Sequence, residues 1–326
     1  MSSPARDTFW DASRAALMWL VILGHTIQEL ADGNFFTHPL FKGIYLFHIP
    51  LFFFISGYFA YSSIRKHRWQ SISRSATRLL LPVFSLGTLR VILLLSKSTI
   101  TPGDFFGCYV CLWFLWSLFE CQVFGCILLH YKQPVWRFIW ILIPLLLNIY
   151  YPSSMPYAEY MSFTWPFYLL GMWAKSKGFT SQHINTRWYW ALPAAILFYF
   201  TYQDTWYIYL SPLSISPESA GIALFRIAAA LAAGSVFLAL MHQCPATLHI
   251  AKIGTSTLGI YVIQCILCNL VSRFSFPPFT SQVWFMLPLS LLVFFLCYWA
   301  YLLTRKIPLV GMLVYGDPLR RISTKP

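Results

Sequence analysis

The sequence predicts an all-α integral membrane protein, built as a bundle of about ten transmembrane helices. The 326-residue chain is 58% hydrophobic and only 10% charged, whereas soluble domains carry about 25% charged residues. Several windows of about 20 residues are almost wholly apolar, which is long enough to cross a hydrocarbon core of roughly 30 Å. Basic residues gather between these windows. The composition therefore indicates one bundle solvated by lipid.

The apolar windows define ten expected spans. They cover residues 12–30, 41–62, 79–96, 108–129, 136–151, 162–175, 188–203, 219–241, 250–272 and 283–304. The spans 136–151 and 162–175 are short, as tilted or broken helices would be. We expect residues 1–326 to form a single transmembrane domain, with a short cytoplasmic C-terminal tail over 305–326 and no extramembrane domain.

The distribution of basic residues predicts the orientation of the chain and explains its net charge of +13. With the N-terminus inside, eighteen of the 23 Lys and Arg residues fall at inner ends and loops, three fall outside and two lie within spans. This bias predicts a multi-pass protein of the cytoplasmic (inner) membrane with both termini cytoplasmic. Because the charge is mostly topological, nucleic acid is not an expected partner. A basic inner face would instead attract an anionic cytosolic ligand.

Three loops stand out by length and composition. The longest inner loop, 65–78, is strongly basic and is either a short interfacial helix or a solvated loop that sets topology. The largest outer loops, 152–161 and 203–218, are rich in Pro, Ser, Tyr and acidic residues. We expect these two outer loops to cap an external cavity.

Ionisable residues inside the expected spans are few, and their cost in lipid makes them candidates for function. They are Arg14, which is counted above at the inner end of its span, and His25, Glu29, His48, Arg90, Glu120 and Arg226. Such residues usually face the interior of a bundle or a water-filled cavity rather than lipid.

The first span places its polar residues on one face. Arg14 and His25 are eleven positions apart, close to three helical turns and about 16 Å along the axis. Asp11 lies three residues before Arg14, and Glu29 lies four residues after His25, so all share one stripe with Met18. Gln28, three residues after His25, lies on the same side. Glu29 can therefore orient the imidazole and stabilise its protonated form, as a general base requires. The alternative is a histidine that bonds across helices for packing alone.

The second span carries the stretch "FHIPLFFFISGYF", residues 47–59. Pro50 interrupts the helical hydrogen-bond ladder, and Ser56 with Gly57 allows a close approach of another backbone. His48 enters the membrane near the outer side, so we expect it to lie close to His25.

These stretches resemble the membrane-bound acyltransferase family 3, the O-acetylase type, whose first transmembrane helix has an Arg and a His separated by ten residues. "RAALMWLVILGH", from Arg14 to His25, has that spacing, and "FHIPLFFFISGYF" resembles the second-helix signature. Weaker similarities are "RLLLP" (78–82), "LWFLWSLF" (112–119), "WPFYLLGMWA" (165–174) and "IGTSTLGIYVIQ" (253–264). The chain is especially similar to the branch of fucose 4-O-acetylases and nodulation-factor O-acetylases. Gln264 stands where the family often has His, so we assign it no acid-base role.

The resemblance implies transfer of an acyl group, usually acetyl, from cytosolic acyl-CoA to a hydroxyl of a cell-envelope glycan. We therefore expect acetyl-CoA as co-substrate, an envelope glycan or lipid-linked sugar as acceptor, a lipid bilayer as surroundings and no metal. Arg14, Arg74 and Arg78 are the expected donor-binding residues, because guanidinium groups suit phosphate. Another acyl donor, such as succinyl-CoA, stays open.

The expected catalytic group is His25, assisted by Glu29 and His48. His25 would either deprotonate the acceptor hydroxyl or carry the acyl group itself. The other charged residues of the spans would either stabilise the oxyanion or form structural ion pairs with one another. These residues are Arg90, Glu120 and Arg226.

Two other functions stay open at the level of sequence. One is a proton-coupled transporter or flippase of glycolipid or polysaccharide intermediates, with His25 and Glu29 as a proton relay. The other is a non-catalytic membrane partner in a polysaccharide-assembly complex. Only an acyltransferase requires a site for an acyl donor.

Overall fold

A computed structural model describes residues 7–95, 101–110, 112–150, 158–184, 186–211, 213–214, 216–244, 248–271, 274 and 276–317. The helices within them are α1 Thr8–Leu30, α2 Pro39–Tyr45, α3 His48–His67, α4 Trp69–Ser75, α5 Leu81–Leu94, α6 Pro102–Val110, α7 Trp113–His130, α8 Pro134–Tyr150, α9 Ala158–Ser176, α10 Leu192–Thr201, α11 Pro217–Gln243, α12 Leu248–Gly254, α13 Thr257–Val271, α14 Val283–Thr304 and α15 Pro308–Tyr315. The predicted span ends at 96, 151 and 272, most of the loop 152–161 and residues 318–326 of the expected tail lie outside the described residues.

The described part of the chain contains five stretches that are helical, long and apolar enough to cross a membrane. They are Pro39–His67, Trp69–Leu94, Trp113–His130, Pro217–Gln243 and Val283–Thr304. A sixth arises if α12 and α13, which bend by 61° at their junction, form one span. The all-α, multi-pass character is confirmed. The count of ten spans and the cytoplasmic termini stay predictions.

Helix α1 lies inside the bundle rather than at its edge. It packs against α12, α14 and α13 on one side and against α2, α3 and α11 on others. The side chains of Trp10, Leu17 and Ile27 have no exposed surface. The helix begins at a capped end, because the Asp7 carboxylate accepts a hydrogen bond of 3.1 Å from the N–H of Phe9. Neighbouring helices thus shield the polar stripe of α1 from lipid.

The predicted span 41–62 lies within the single candidate span Pro39–His67, which a short break divides into α2 and α3. α2 ends at Tyr45 and α3 begins at His48, so the break precedes Pro50 by two residues. Pro50 sits in the first turn of α3, where its missing N–H has no helical partner to lose. The break leaves the carbonyl of Ile44 accessible to the Nδ1 atom of His48, which lies 2.8 Å away.

Helices α3 and α9 pack at close backbone distance through two glycines. A Cβ atom at Gly57 would overlap the carbonyl oxygen of Tyr168, and one at Gly171 would overlap the carbonyl oxygen of Phe54. Small residues allow two membrane helices to approach at backbone distance, where dispersion contacts are strongest. The predicted close approach at Gly57 is therefore present, and α9 is its partner.

The basic stretch 65–78 is helical over most of its length. α4 covers Trp69–Ser75 and continues through one π-helical turn, Ala76–Leu80, into α5. Trp69 is 54% exposed, as an interfacial aromatic residue would be. The stretch is therefore helical rather than a loop, but from Trp69 onward it forms one continuous candidate span with α5, and its predicted interfacial position stays a prediction.

The expected tail also contains a helix. α15 packs against α5 and α13, and the Tyr315 hydroxyl lies 2.6 Å from Thr304 Oγ1. Arg305 Nη2 lies 3.4 Å from Asp317 Oδ2. These contacts hold residues 305–317 against the end of the bundle where the basic stretch lies.

Replacing Gly171 with alanine tests the α3–α9 contact. We expect Gly171→Ala to lower the free energy of unfolding by about 1–3 kcal/mol, because the new methyl group forces two backbones apart. Thermal unfolding of the purified protein in detergent measures the loss. Gly221→Ala is the matched control, since no atom lies within 4 Å of its Cβ position on α11. Equal effects of the two substitutions would contradict this account of the packing.

Candidate functional site

A cavity of about 660 Å³ follows α1 along the polar stripe. α1 contributes Arg14, Met18, Val21, His25 and Gln28, whose spacing of three and four residues keeps them on one helical face. This stretch of helix is about 21 Å long at 1.5 Å per residue. α3, α4, α7 and the first turns of α13 supply most of the remaining wall. The cavity therefore spans much of the thickness of a hydrocarbon core.

One end of the cavity is basic, and we call it the arginine end. It is lined by Arg14, Arg74 and Arg78. Arg14 is held from two sides, because its Nη2 donates a 3.1 Å hydrogen bond to Thr257 Oγ1 and its Nη1 lies 3.7 Å from Asp11 Oδ1. Arg74 and Arg78 are exposed. The structure thus brings together the three arginines that the sequence proposed for one ligand, and Asp11 orients the innermost of them.

Thr257 is a member of the site that sequence reasoning missed. It is the first residue of α13, immediately after the 61° bend. The bend is possible because Gly254 closes against the α1 backbone, where a Cβ atom would overlap the carbonyl of Asp11. The signal was present in "IGTSTLGIYVIQ", which contains both the glycine and the threonine.

His25 and His48 line the same cavity and are close enough to interact electrostatically. The Nδ1 atom of His48 contacts the Ile44 carbonyl, which can only accept a hydrogen bond, so Nδ1 carries the proton. In the neutral ring Nε2 is therefore an acceptor. The Tyr45 ring packs edge-on against His48 at 4.4 Å and fixes its plane.

Gln28, rather than Glu29, accompanies His25 in the cavity wall. Gln28 lines the cavity and its side chain interacts with the imidazole. Glu29 is not among the described lining residues, and it lies near Cys268 of α13 instead. Successive residues of an α-helix are rotated by about 100°, which accounts for the difference between the two positions.

The three remaining charged candidates do not belong to the described lining of the cavity. Arg90 on α5 is partly exposed. Glu120 on α7 has one buried carboxylate oxygen without a hydrogen-bond partner among the described residues. Arg226 on α11 donates hydrogen bonds to three backbone carbonyls of the segment 206–211. The structure therefore does not bring these residues to the histidines.

A chain of hydrogen bonds fixes the arginine end to the rest of the wall. The Tyr168 hydroxyl donates to Gln122 Oε1 at 2.8 Å, and Gln122 Nε2 donates to Ser71 Oγ at 3.3 Å. Ser71 Oγ in turn donates to the carbonyl of Arg68. The chain links α9, α7 and α4, so it sets the position of α4, the helix that presents Arg74.

The opposite end of the cavity, which we call the aromatic end, has a different chemistry. It is lined by Phe35, Phe36, Trp113 and Tyr209. The rings of Trp113 and Tyr209 meet nearly at right angles with centroids 5.8 Å apart. Of the described residues that line this end, none carries a formal charge. The cavity is therefore polarised, cationic at one end and neutral at the other.

Comparison with known proteins identifies the family of the chain that forms this cavity. The acyltransferase domain profile matches residues 7–302. The chain is 26% identical over 347 aligned positions to nodulation protein NolL of Mesorhizobium japonicum, covering 97% of this chain and 91% of that protein. It is 29% identical over 294 positions to nodulation protein NolL of Sinorhizobium fredii, covering 79% and 77%. No solved structure matches the chain. Because the matched region spans nearly the whole sequence, the protein is a multi-pass membrane member of the acyltransferase 3 family.

Proposed function

We propose that the protein is an O-acetyltransferase that moves an acetyl group from acetyl-CoA to a hydroxyl of an envelope glycan or a lipid-linked sugar. Membership of an acyltransferase family supports the acyl transfer. The observation that carries the finer proposal is a polarised cavity among the described residues, with three arginines at one end and two histidines farther along α1 and α3. A polyanionic donor and a neutral acceptor fit its opposite ends.

The arginine end receives the donor in this proposal and faces the cytoplasm, where acyl-CoA is made. The excess of basic residues on that side supports this orientation, with both termini cytoplasmic in an inner membrane and ten spans in all. The exposed guanidinium groups of Arg74 and Arg78 meet the phosphates. The slim pantetheine arm then follows the α1 stripe from Arg14 to His25, a distance of about 16 Å along the helix.

The histidines carry out the proton transfer. The acceptor oxygen attacks the thioester carbonyl as its proton passes to an imidazole nitrogen, the C–S bond breaks, and the leaving sulfur regains a proton. His25 acts either as this base or as the nucleophile that first accepts the acetyl group. The second route needs another base for the acceptor hydroxyl. Nε2 of His48, fixed as an acceptor by the Ile44 carbonyl, has the required protonation state.

Removal of His25 tests the catalytic assignment. We expect His25→Ala to lower the transfer of radiolabelled acetyl from acetyl-CoA to extracted envelope glycolipid by about 10²- to 10⁴-fold, because a positioned proton acceptor is lost. Binding of acetyl-CoA, measured by calorimetry, should be kept. The control is His249→Ala, an exposed histidine of α12. Full activity of His25→Ala would exclude both of its proposed roles.

The donor site is tested by neutralising the exposed arginines together. We expect Arg74→Gln/Arg78→Gln to raise the KM for acetyl-CoA by about 10- to 100-fold, as lost charge-assisted hydrogen bonds predict. The effect should shrink as ionic strength rises, because salt screens exposed charges. The KM for the acceptor serves as the internal control and should not change. An unchanged KM for acetyl-CoA would remove both arginines from the donor site.

A further inference from the structure

We propose that the aromatic end of the cavity binds one uncharged sugar ring of the acceptor, and that Arg226 is the positioning residue that builds this site. This inference rests on the proposed function and extends it to the acceptor. It starts from a segment that the transfer chemistry does not explain, residues 202–211, which follow α10 without continuing its helix.

Arg226 holds this segment from within the bundle. Its side chain is 94% buried (6% exposed). Nε donates to the carbonyl of Trp206, and Nη2 donates to the carbonyls of Tyr207 at 3.2 Å and Ser211 at 2.8 Å. Arg226 lies nine residues into α11, about 14 Å from the start of that helix. The segment must therefore fold back toward the interior to reach it.

In a medium of low dielectric constant, Arg226 supplies hydrogen-bond donors to the segment, and the segment supplies acceptors to Arg226. Non-helical backbone at membrane depth is tolerated only where protein or a cavity satisfies its polar groups. A guanidinium group has five N–H donors and no acceptor, so it can satisfy several carbonyls at once. A buried cation is nevertheless costly within a membrane. Because burying Arg226 is costly, we infer that the segment has a role beyond connecting α10 and α11.

The segment presents Tyr209 to the cavity. Tyr209 lies between the two anchored residues Tyr207 and Ser211, and it lines the aromatic end. Its ring centroid is 5.5 Å from that of Tyr160 and 6.2 Å from that of Tyr45. These ring contacts restrict the orientation of the tyrosine.

The same segment fixes a second part of the aromatic end. The Tyr207 hydroxyl donates a 2.9 Å hydrogen bond to the carbonyl of Phe36. Phe35 and Phe36 belong to a short turn that also lines the cavity, and the Phe36 ring packs against Tyr207 with centroids 5.0 Å apart. Arg226 is not among the residues that line the cavity, but it positions two parts of the aromatic end. It holds the segment that carries Tyr209, and it holds the turn of Phe35 and Phe36 through Tyr207.

The chemistry of these walls selects the ligand. Flat aromatic faces accept the apolar face of a sugar ring, and the Tyr209 hydroxyl and Gln28 amide can bond its hydroxyl groups. A carboxylate or phosphate on the same ring would be desolvated with no described cation at that end to pair with it. The ring that receives the acetyl group is therefore uncharged, and any charged group of the acceptor lies outside the cavity.

Substitution of Arg226 tests the positioning role. The acceptor is lipid-linked glycan extracted from the source cells, quantified as total hexose. We expect Arg226→Gln to raise the apparent KM for this acceptor by about 10- to 100-fold, because displaced walls misplace the ring. The KM for acetyl-CoA should stay constant, and Arg226→Lys should restore part of the loss. The matched control is Arg137→Gln, since the exposed Arg137 also donates to a backbone carbonyl, that of Tyr131 at 2.8 Å.

The outcomes separate this role from a general effect on folding. An unchanged acceptor KM in Arg226→Gln, or an equal rise for both substrates, would overturn the proposal. If Arg226→Gln does not fold, Tyr209→Ala decides, because it leaves the three arginine hydrogen bonds in place. A selective rise in acceptor KM for Tyr209→Ala supports the site, and no rise overturns it.

A separate experiment tests whether the acceptor ring is uncharged. Tandem mass spectrometry of the product locates the new acetyl ester on an individual sugar residue. An ester on an uncharged ring is expected, and an ester on a uronic acid or a phosphorylated ring would overturn the proposal. An absence of any transfer by the wild-type protein would contradict the proposed function itself, on which the inference depends.

Discussion

The ion pair and hydrogen bond that hold Arg14 are the constraint on which the rest of the structure depends. An arginine and a histidine on one helix cannot face lipid without a large cost in free energy. α1 is therefore enclosed by other helices, and the space beside its polar stripe becomes the cavity. The bend between α12 and α13 brings Thr257 to Arg14. The same helix that would be unstable in lipid thus organises the site.

Much of this could be predicted from helical periodicity. The stripe on α1 needed only the positions of Arg14 and His25, and the lining of the cavity follows it. Periodicity could not choose between Gln28 and Glu29, because both lie within one turn of His25 and the choice depends on the rotation of the whole helix. Thr257 and the role of Arg226 rest on contacts between distant parts of the chain, which spacing within one helix does not contain.

The helix break expected at Pro50 is present, but it lies before the start of α3 rather than at the proline. Pro50 predicted an interruption, and the chain breaks two residues earlier because proline is well accommodated in a first helical turn. The shift has a chemical result. The carbonyl of Ile44, next to the break, selects the tautomer of His48. The break between α2 and α3 thus sets both the local backbone geometry and the tautomer of His48.

The polarised cavity also bears on the permeability of the membrane. A cavity that carries polar side chains along a helix for about 21 Å would admit ions if nothing opposed their entry. Three guanidinium groups at one end raise the electrostatic energy of any cation there, as arginines do in pores that exclude protons. The residues proposed to hold an anionic donor would therefore also oppose the entry of protons and sodium at that end of the cavity.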